Sequence, residues 1–113
     1  MDKNMTLEKR IEAELYCYQG KMSVFVDDLR GHTVEISADE EFETASTIKA
    51  FILAVLYLQV QRGKADLNEE ITYEQSQFVD GSGMLRALGV GAKLKVKDTA
   101  TMMIICSDNI ATN

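Results

Sequence analysis

The chain of 113 residues carries a formal net charge of −6, with 46% hydrophobic and 27% charged residues. That length accommodates one domain, and the composition excludes a disordered or low-complexity chain. The acidity excludes a nucleic-acid surface, which needs clustered Lys and Arg, and reads instead as a solvated, solubilising exterior.

Residues 1–6 pass straight into a charged amphipathic pattern, without the apolar stretch or small-residue cleavage site of a secretory leader. The chain as written is therefore expected to be cytoplasmic. Leu7, Ile11, Leu15 and Tyr18 recur at helical spacing and predict a helix over residues 5–18, stopped near Gly20. Residues 22–28 and 33–37 are β-rich, and Leu29, Arg30, Gly31 and His32 between them predict a hairpin turn in which glycine takes positive φ. His32 at that tip reads as exposed filler, not as a catalyst.

A strongly apolar helix is predicted over residues 47–61, closed by Gly63 as a C-terminal cap. Its apolar run, residues 50–58, is far short of the roughly 20 residues that cross a bilayer, so no membrane partner is expected. A loop over 65–70, an extended piece over 71–74, a break at Gly81, Ser82 and Gly83, and a short helix over 84–88 follow. Residues 99–106 predict a further apolar helix with Asp98 as its N-cap. Ser107, Asp108 and Asn109 interrupt that pattern, and residues 110–113 read as a new helix barely begun. A lone hairpin is marginal and a one-turn helix does not hold itself, so residues 1–113 are expected to form a single partial domain.

Cys17 and Cys106 lie in apolar, helix-like contexts, and their spacing matches no zinc or redox motif. Two buried free thiols are expected, which fits a reducing compartment. One histidine and two separated cysteines predict neither a metal site nor a cofactor.

Chemistry concentrates in two places. Ser46 and Lys49 form S-x-x-K at the entrance of the apolar helix, where positions i and i+3 share a face about 5–6 Å apart at Cβ. A serine hydroxyl becomes a nucleophile when a neighbouring base takes its proton, and a lysine serves when its surroundings lower its affinity for protons. A helix amino terminus adds partial positive charge for an oxyanion. Alone, the pair reads equally as an N-cap serine with a solvent-facing lysine. Ser107, Asp108 and Asn109 offer a second hydroxyl and an amide that both donates and accepts, although by themselves they read better as an Asx-type turn capping the next helix.

Taken together, the two elements resemble the S-x-x-K and S-D-N motifs of class A β-lactamases and penicillin-binding proteins, in the right order and at a similar separation. The opening helix, the strand from Gly20 to Val24 and the segment Gly81, Ser82, Gly83, Met84, Leu85 are similar as well. The resemblance covers essentially the whole chain but about the first two-fifths of a family member. It implies an α+β fold of the β-lactamase/transpeptidase-like kind, here cut to an N-terminal helix, a β-hairpin and the start of the all-helical region.

The resemblance also implies roles. Ser46 is the acylated nucleophile and one half of the oxyanion hole, Lys49 activates it, and Ser107 passes a proton to the leaving β-lactam nitrogen. Asn109 binds the substrate's side-chain amide and holds Lys49, with Ser46 and Ser107 completing the substrate contacts. Asp108 is structural, and Asn113 matches an asparagine that positions the deacylating glutamate. The implied partner is a small-molecule β-lactam or acyl-D-Ala-D-Ala-like substrate, and the implied reaction is hydrolysis through a serine acyl-enzyme. A penicillin-binding peptidase or esterase, or a sensor acylated without turnover, stays open beside it. The family's deacylating glutamate and its Lys-Thr-Gly strand have no counterpart here. The chain alone is thus expected to be inactive and to self-associate through its uncovered face.

Overall fold

The computed structural model describes residues 5–113; residues 1–4, on which the leader reading partly rests, lie outside the described residues. Two compact units emerge, Met1–Glu43 and Thr44–Asn113.

The first unit opens with α1 (Leu7–Leu15). Thr6 caps it: its backbone is extended and its Oγ1 accepts from the Lys9 N–H at 3.4 Å, which meets one of the free donors of the first turn. The helix is shorter than the predicted 5–18. Tyr16 and Tyr18 remain exposed, so no apolar burial rewards a further turn, and Tyr18 N–H already closes a tighter turn onto Leu15 O at 2.9 Å. β1 (Val24–Asp27) and β2 (Thr33–Ile36) then pair antiparallel, with Val24 opposite Ile36 and Val26 opposite Val34. Those four are half-buried on one face, while Phe25 and Glu35 point to solvent. The turn is the predicted one. Leu29 and Gly31 take positive φ, and Asp28 Oδ1 accepts from the N–H groups of Arg30 and His32. His32 is exposed, and its ring rests against the Asp28 carboxylate at 2.8 Å.

The second unit carries α2 (Ile48–Gln61), entered through a single 3₁₀ turn at Ala45–Thr47. Gly63 (φ +66) ends it as predicted: its N–H donates to Val60 O and Lys64 N–H to Gln59 O, which meets the last carbonyls of the helix. β3 (Glu70–Thr72) pairs antiparallel with β4 (Lys93–Lys95), with Ile71 opposite Leu94. This second ribbon corrects the expectation of one hairpin. Its strands are three residues each and lie about twenty residues apart, separated by a 3₁₀ turn at Gln75–Gln77 and by α3 (Leu85–Leu88), so no local turn signal joins them.

The ribbon delivers α4 (Val96–Ile105) directly. The helix begins two residues ahead of the predicted cap, and the cap position falls to Lys95, with Asp98 in the first turn. The reason is that Val96 N–H and Lys97 N–H already donate to Glu69 O and Leu67 O, each at 3.0 Å, so the ribbon supplies the acceptors a side-chain cap would give. Asp98 then complements the partial positive charge of that helix end. Tyr73, Leu85 and Ile110 form the buried cluster of this unit, with Leu94 and Met102 packed against it. Residues 110–112 make one turn rather than a helix. Among the described residues no helix is long and apolar enough to cross a membrane.

Candidate active site

Lys49 is the only buried residue of α2, an inversion of the usual pattern on an apolar helix. Its Nζ donates to Ser107 O at 2.6 Å, Ser107 Oγ at 3.0 Å and Asn109 Oδ1 at 2.8 Å. An ammonium has three N–H groups, so all are engaged. The predicted proximity of Ser46 to Lys49 takes a different form from the one expected. Ser46 joins through Ser107, whose Oγ lies 2.9 Å from Ser46 Oγ, and the lysine does not bond the first serine directly. Ser46, Ser107, Lys49 and Asn109 thus form one connected network, brought together by the α2 entrance and the segment after α4.

The backbone is held in unusual conformations on both sides of this network. Ala45, just before Ser46, has φ +43, and Ser107 has φ +50. Residues other than glycine rarely adopt such values, and they persist where surrounding structure over-determines them. Around Ser107 that structure is Asp108, which is fully buried. Its Oδ2 accepts from Met84 N–H (2.6 Å) and Leu85 N–H (2.8 Å), and its Oδ1 from Ile110 N–H (2.9 Å) and Ala111 N–H (3.0 Å). Burial alone pushes the carboxyl upward, but the four N–H bonds outweigh it and hold the group below the ordinary carboxylate range. Asp108 therefore points away from the cleft and pins the loop that presents Ser107 and Asn109.

Two glycines make that possible. A Cβ on Gly83 would fall on the Asp108 carboxylate, and one on Gly81 would come within 2.5 Å of Asn109 Nδ2. The sequence marked this segment as a break and as similar to the family's, but gave its glycines no role at the site. A pair of glycines around one serine was the available signal for close backbone approach.

The network opens onto a cleft of about 410 Å³, lined by Ser46 and Lys49 together with Ile48, Val79, Thr112 and Asn113. Asn113 is exposed, and its amide reaches Gln77 O only at 3.5 Å. No carboxylate lines this cleft among the described residues. No group of metal-binding side chains occurs among them either. Both cysteines are free thiols. The expected burial needs correction, because Cys17 is exposed beyond the end of the short α1 and Cys106 is half-buried beside Ser107.

The sequence model of the beta-lactamase enzyme family matches residues 6–113. The β-lactamase ROB-1 of Haemophilus influenzae is 38% identical over 97 residues, which is 85% of this chain and 31% of that protein. Among solved structures, an ancestral class A β-lactamase superposes with a TM-score of 0.83 at 28% identity, over 96% of this chain and 42% of its own. A mutant of the penicillin-binding protein PBP-A, solved as an acyl-enzyme complex with penicillin G, superposes with a TM-score of 0.73 at 30% identity, over 78% of this chain and 33% of its own. The chain spans about a third of the length of the curated relatives it matches.

Proposed function

Because the chain belongs to the beta-lactamase enzyme family, we propose that it contributes the nucleophilic half of a site that opens β-lactam rings. The observation that carries this reading is the hydrogen-bonded run from Ser46 through Ser107 to Lys49 and Asn109. Ser46 Oγ attacks the lactam carbonyl, forming a C–O bond as the C–N bond breaks. Its proton passes to Ser107 Oγ and on to Lys49, which takes part as the neutral amine with its lone pair toward Ser107 Oγ, and the same proton returns through Ser107 to the departing nitrogen. Asn109 orients the acyl side chain of the substrate. Asp108 holds the loop without touching substrate, and Asn113, at the rim of the cleft, is placed to position a water-activating group.

The second step needs a base for water. The cleft offers no carboxylate among the described residues. The Lys-Thr-Gly strand implied by the resemblance, and the oxyanion donor it brings, are absent from the 113 residues. Losing one oxyanion donor lowers turnover by about 10²–10³-fold. The purified chain is therefore expected to show no multiple turnover of nitrocefin. Intact-mass analysis after incubation with benzylpenicillin is expected to show a slow, stoichiometric adduct, absent from Ser46→Ala. The likeness to the PBP-A mutant solved as an acyl-enzyme complex with penicillin G favours a second reading, in which the whole protein is a penicillin-binding peptidase, esterase or sensor that stays acylated. Turnover by a protein containing this chain and its family's remaining length decides for hydrolysis; a lasting adduct without turnover decides for the second reading. An unmodified Ser46 in both proteins overturns both.

A further inference from the structure

The Asn109 amide is held from both ends. Its Oδ1 accepts from Lys49 Nζ at 2.8 Å, and its Nδ2 donates to Asp80 O at 3.1 Å. The backbone of the same residue is tied as well, Asn109 N–H donating to Ser82 O at 2.9 Å. Rotating the amide by 180° would set its NH₂ against the Lys49 donors and its oxygen against the Asp80 carbonyl, so one orientation is fixed. An amide NH₂ carries two donors, one of which is committed to Asp80. The other belongs to a side chain that lines the cleft.

We propose that Gly81 is a positioning residue, which lets the Asp80 carbonyl lock the Asn109 amide in the one orientation that holds Lys49 and leaves an N–H for the cleft. Gly81 is the residue this arrangement requires. Its φ of +116 suits glycine, and a Cβ there would press on Asn109 Nδ2 itself. Any side chain at 81 would push the amide off the Asp80 carbonyl and, with it, move the Oδ1 that holds Lys49. The acceptor that would meet this N–H, an acyl or amide carbonyl of the substrate, is the contact the family resemblance already implies for Asn109. That contact rests on the acyl-transfer reading above, whereas the lock on Asn109 does not.

Two measurements separate these, the first on the 113-residue chain. In the unsubstituted chain, the two Nδ2 protons of Asn109 are expected to exchange with water at different rates, the bonded one at least about tenfold slower. Fast, equal exchange of both overturns the lock, and this needs no variant to fold. In Gly81→Ala the slow proton is lost. In Gly91→Ala, which also forces a side chain beyond the left-handed region at φ +91 with nothing near the added methyl, it is kept. Loss in both variants overturns the assignment to Gly81.

The second measurement is a double-mutant cycle on the rate at which benzylpenicillin adds to Ser46. Gly81→Ala is expected to slow addition by on the order of tenfold when Asn109 is present, and to change nothing in an Asn109→Ala background. Equal slowing in both backgrounds marks a general structural effect and overturns the proposal. The cycle is run on whichever of the chain and the longer protein takes up benzylpenicillin; no addition to either overturns the acyl-transfer reading alone, and the exchange rates still decide on Gly81.

Discussion

Asp108 shows how a residue can matter to a site it does not enter. It satisfies four backbone N–H groups from two separate segments, Met84 and Leu85 on one side and Ile110 and Ala111 on the other. Replacing it with Asn keeps the shape but turns one acceptor oxygen into a donor, which leaves buried N–H groups facing an NH₂. Each unsatisfied buried donor costs about 1–3 kcal/mol, so Asp108→Asn is expected to lower stability in urea by roughly 3 kcal/mol or more. The pH dependence follows from the direction of its shift. A carboxyl held below its ordinary value binds fewer protons folded than unfolded. Its contribution is fully present above the unfolded value of about 3.9 and is lost as pH falls through the lower folded value. Urea midpoints measured from about pH 7 down to about pH 3 should therefore fall more steeply for the unsubstituted chain than for Asp108→Asn. Parallel curves would show that Asp108 is not the group responsible.

Among the elements, those with local signals were legible and those assembled from distant residues were not. The hairpin β1–β2 carries alternating residues and a turn glycine, and the end of α2 carries Gly63, so both were readable. At Gly63 a Cβ meets nothing within 4 Å, which isolates the conformational cost of φ +66. Gly63→Ala is accordingly expected to destabilise the second unit by about 1 kcal/mol, read as a shifted thermal midpoint with an unchanged helical spectrum. A neutral result would mean the helix end rearranges. The β3–β4 ribbon escaped because Lys93, Leu94 and Lys95 are too few to show a period, and their partner strand lies across α3. The same ribbon displaced Asp98 from the cap position, since its carbonyls already serve the first N–H groups of α4. At the site, it was the family resemblance carried by the two motifs, not their spacing, that implied Ser46, Lys49, Ser107 and Asn109 come together. It could not show that Lys49 uses all three donors on the other loop, because that depends on Ser107 O, a backbone atom whose direction is set by a left-handed residue.

On the scale of the whole molecule, the unbalanced feature is α2. A helix apolar on every side is ordinarily enclosed, yet the only residue of α2 that is buried here is the charged Lys49. Ile48, Phe51, Val55 and Leu58 follow one another at intervals of three and four, so they form a single stripe, and all four are exposed, Phe51 by 63%. The stripe is thus an apolar surface that the described residues leave uncovered. Complete burial of one such side chain gives about 1.5–3 kcal/mol, and these are already partly covered, so no single contact suffices. A second copy using the same stripe doubles the apolar area removed from water and needs no complementary surface, since a two-fold contact pairs a patch with itself. The purified chain is therefore expected to dimerise with rising concentration, seen as a shift in its sedimentation coefficient. Replacing Phe51 with Glu and Val55 with Lys together should return it to a monomer. Because both side chains already face solvent, that variant should keep its helical spectrum and the slow Asn109 amide proton. A chain that sediments as a monomer at all concentrations would mean that the stripe is covered within the molecule in solution, and a variant that unfolds would mean the same.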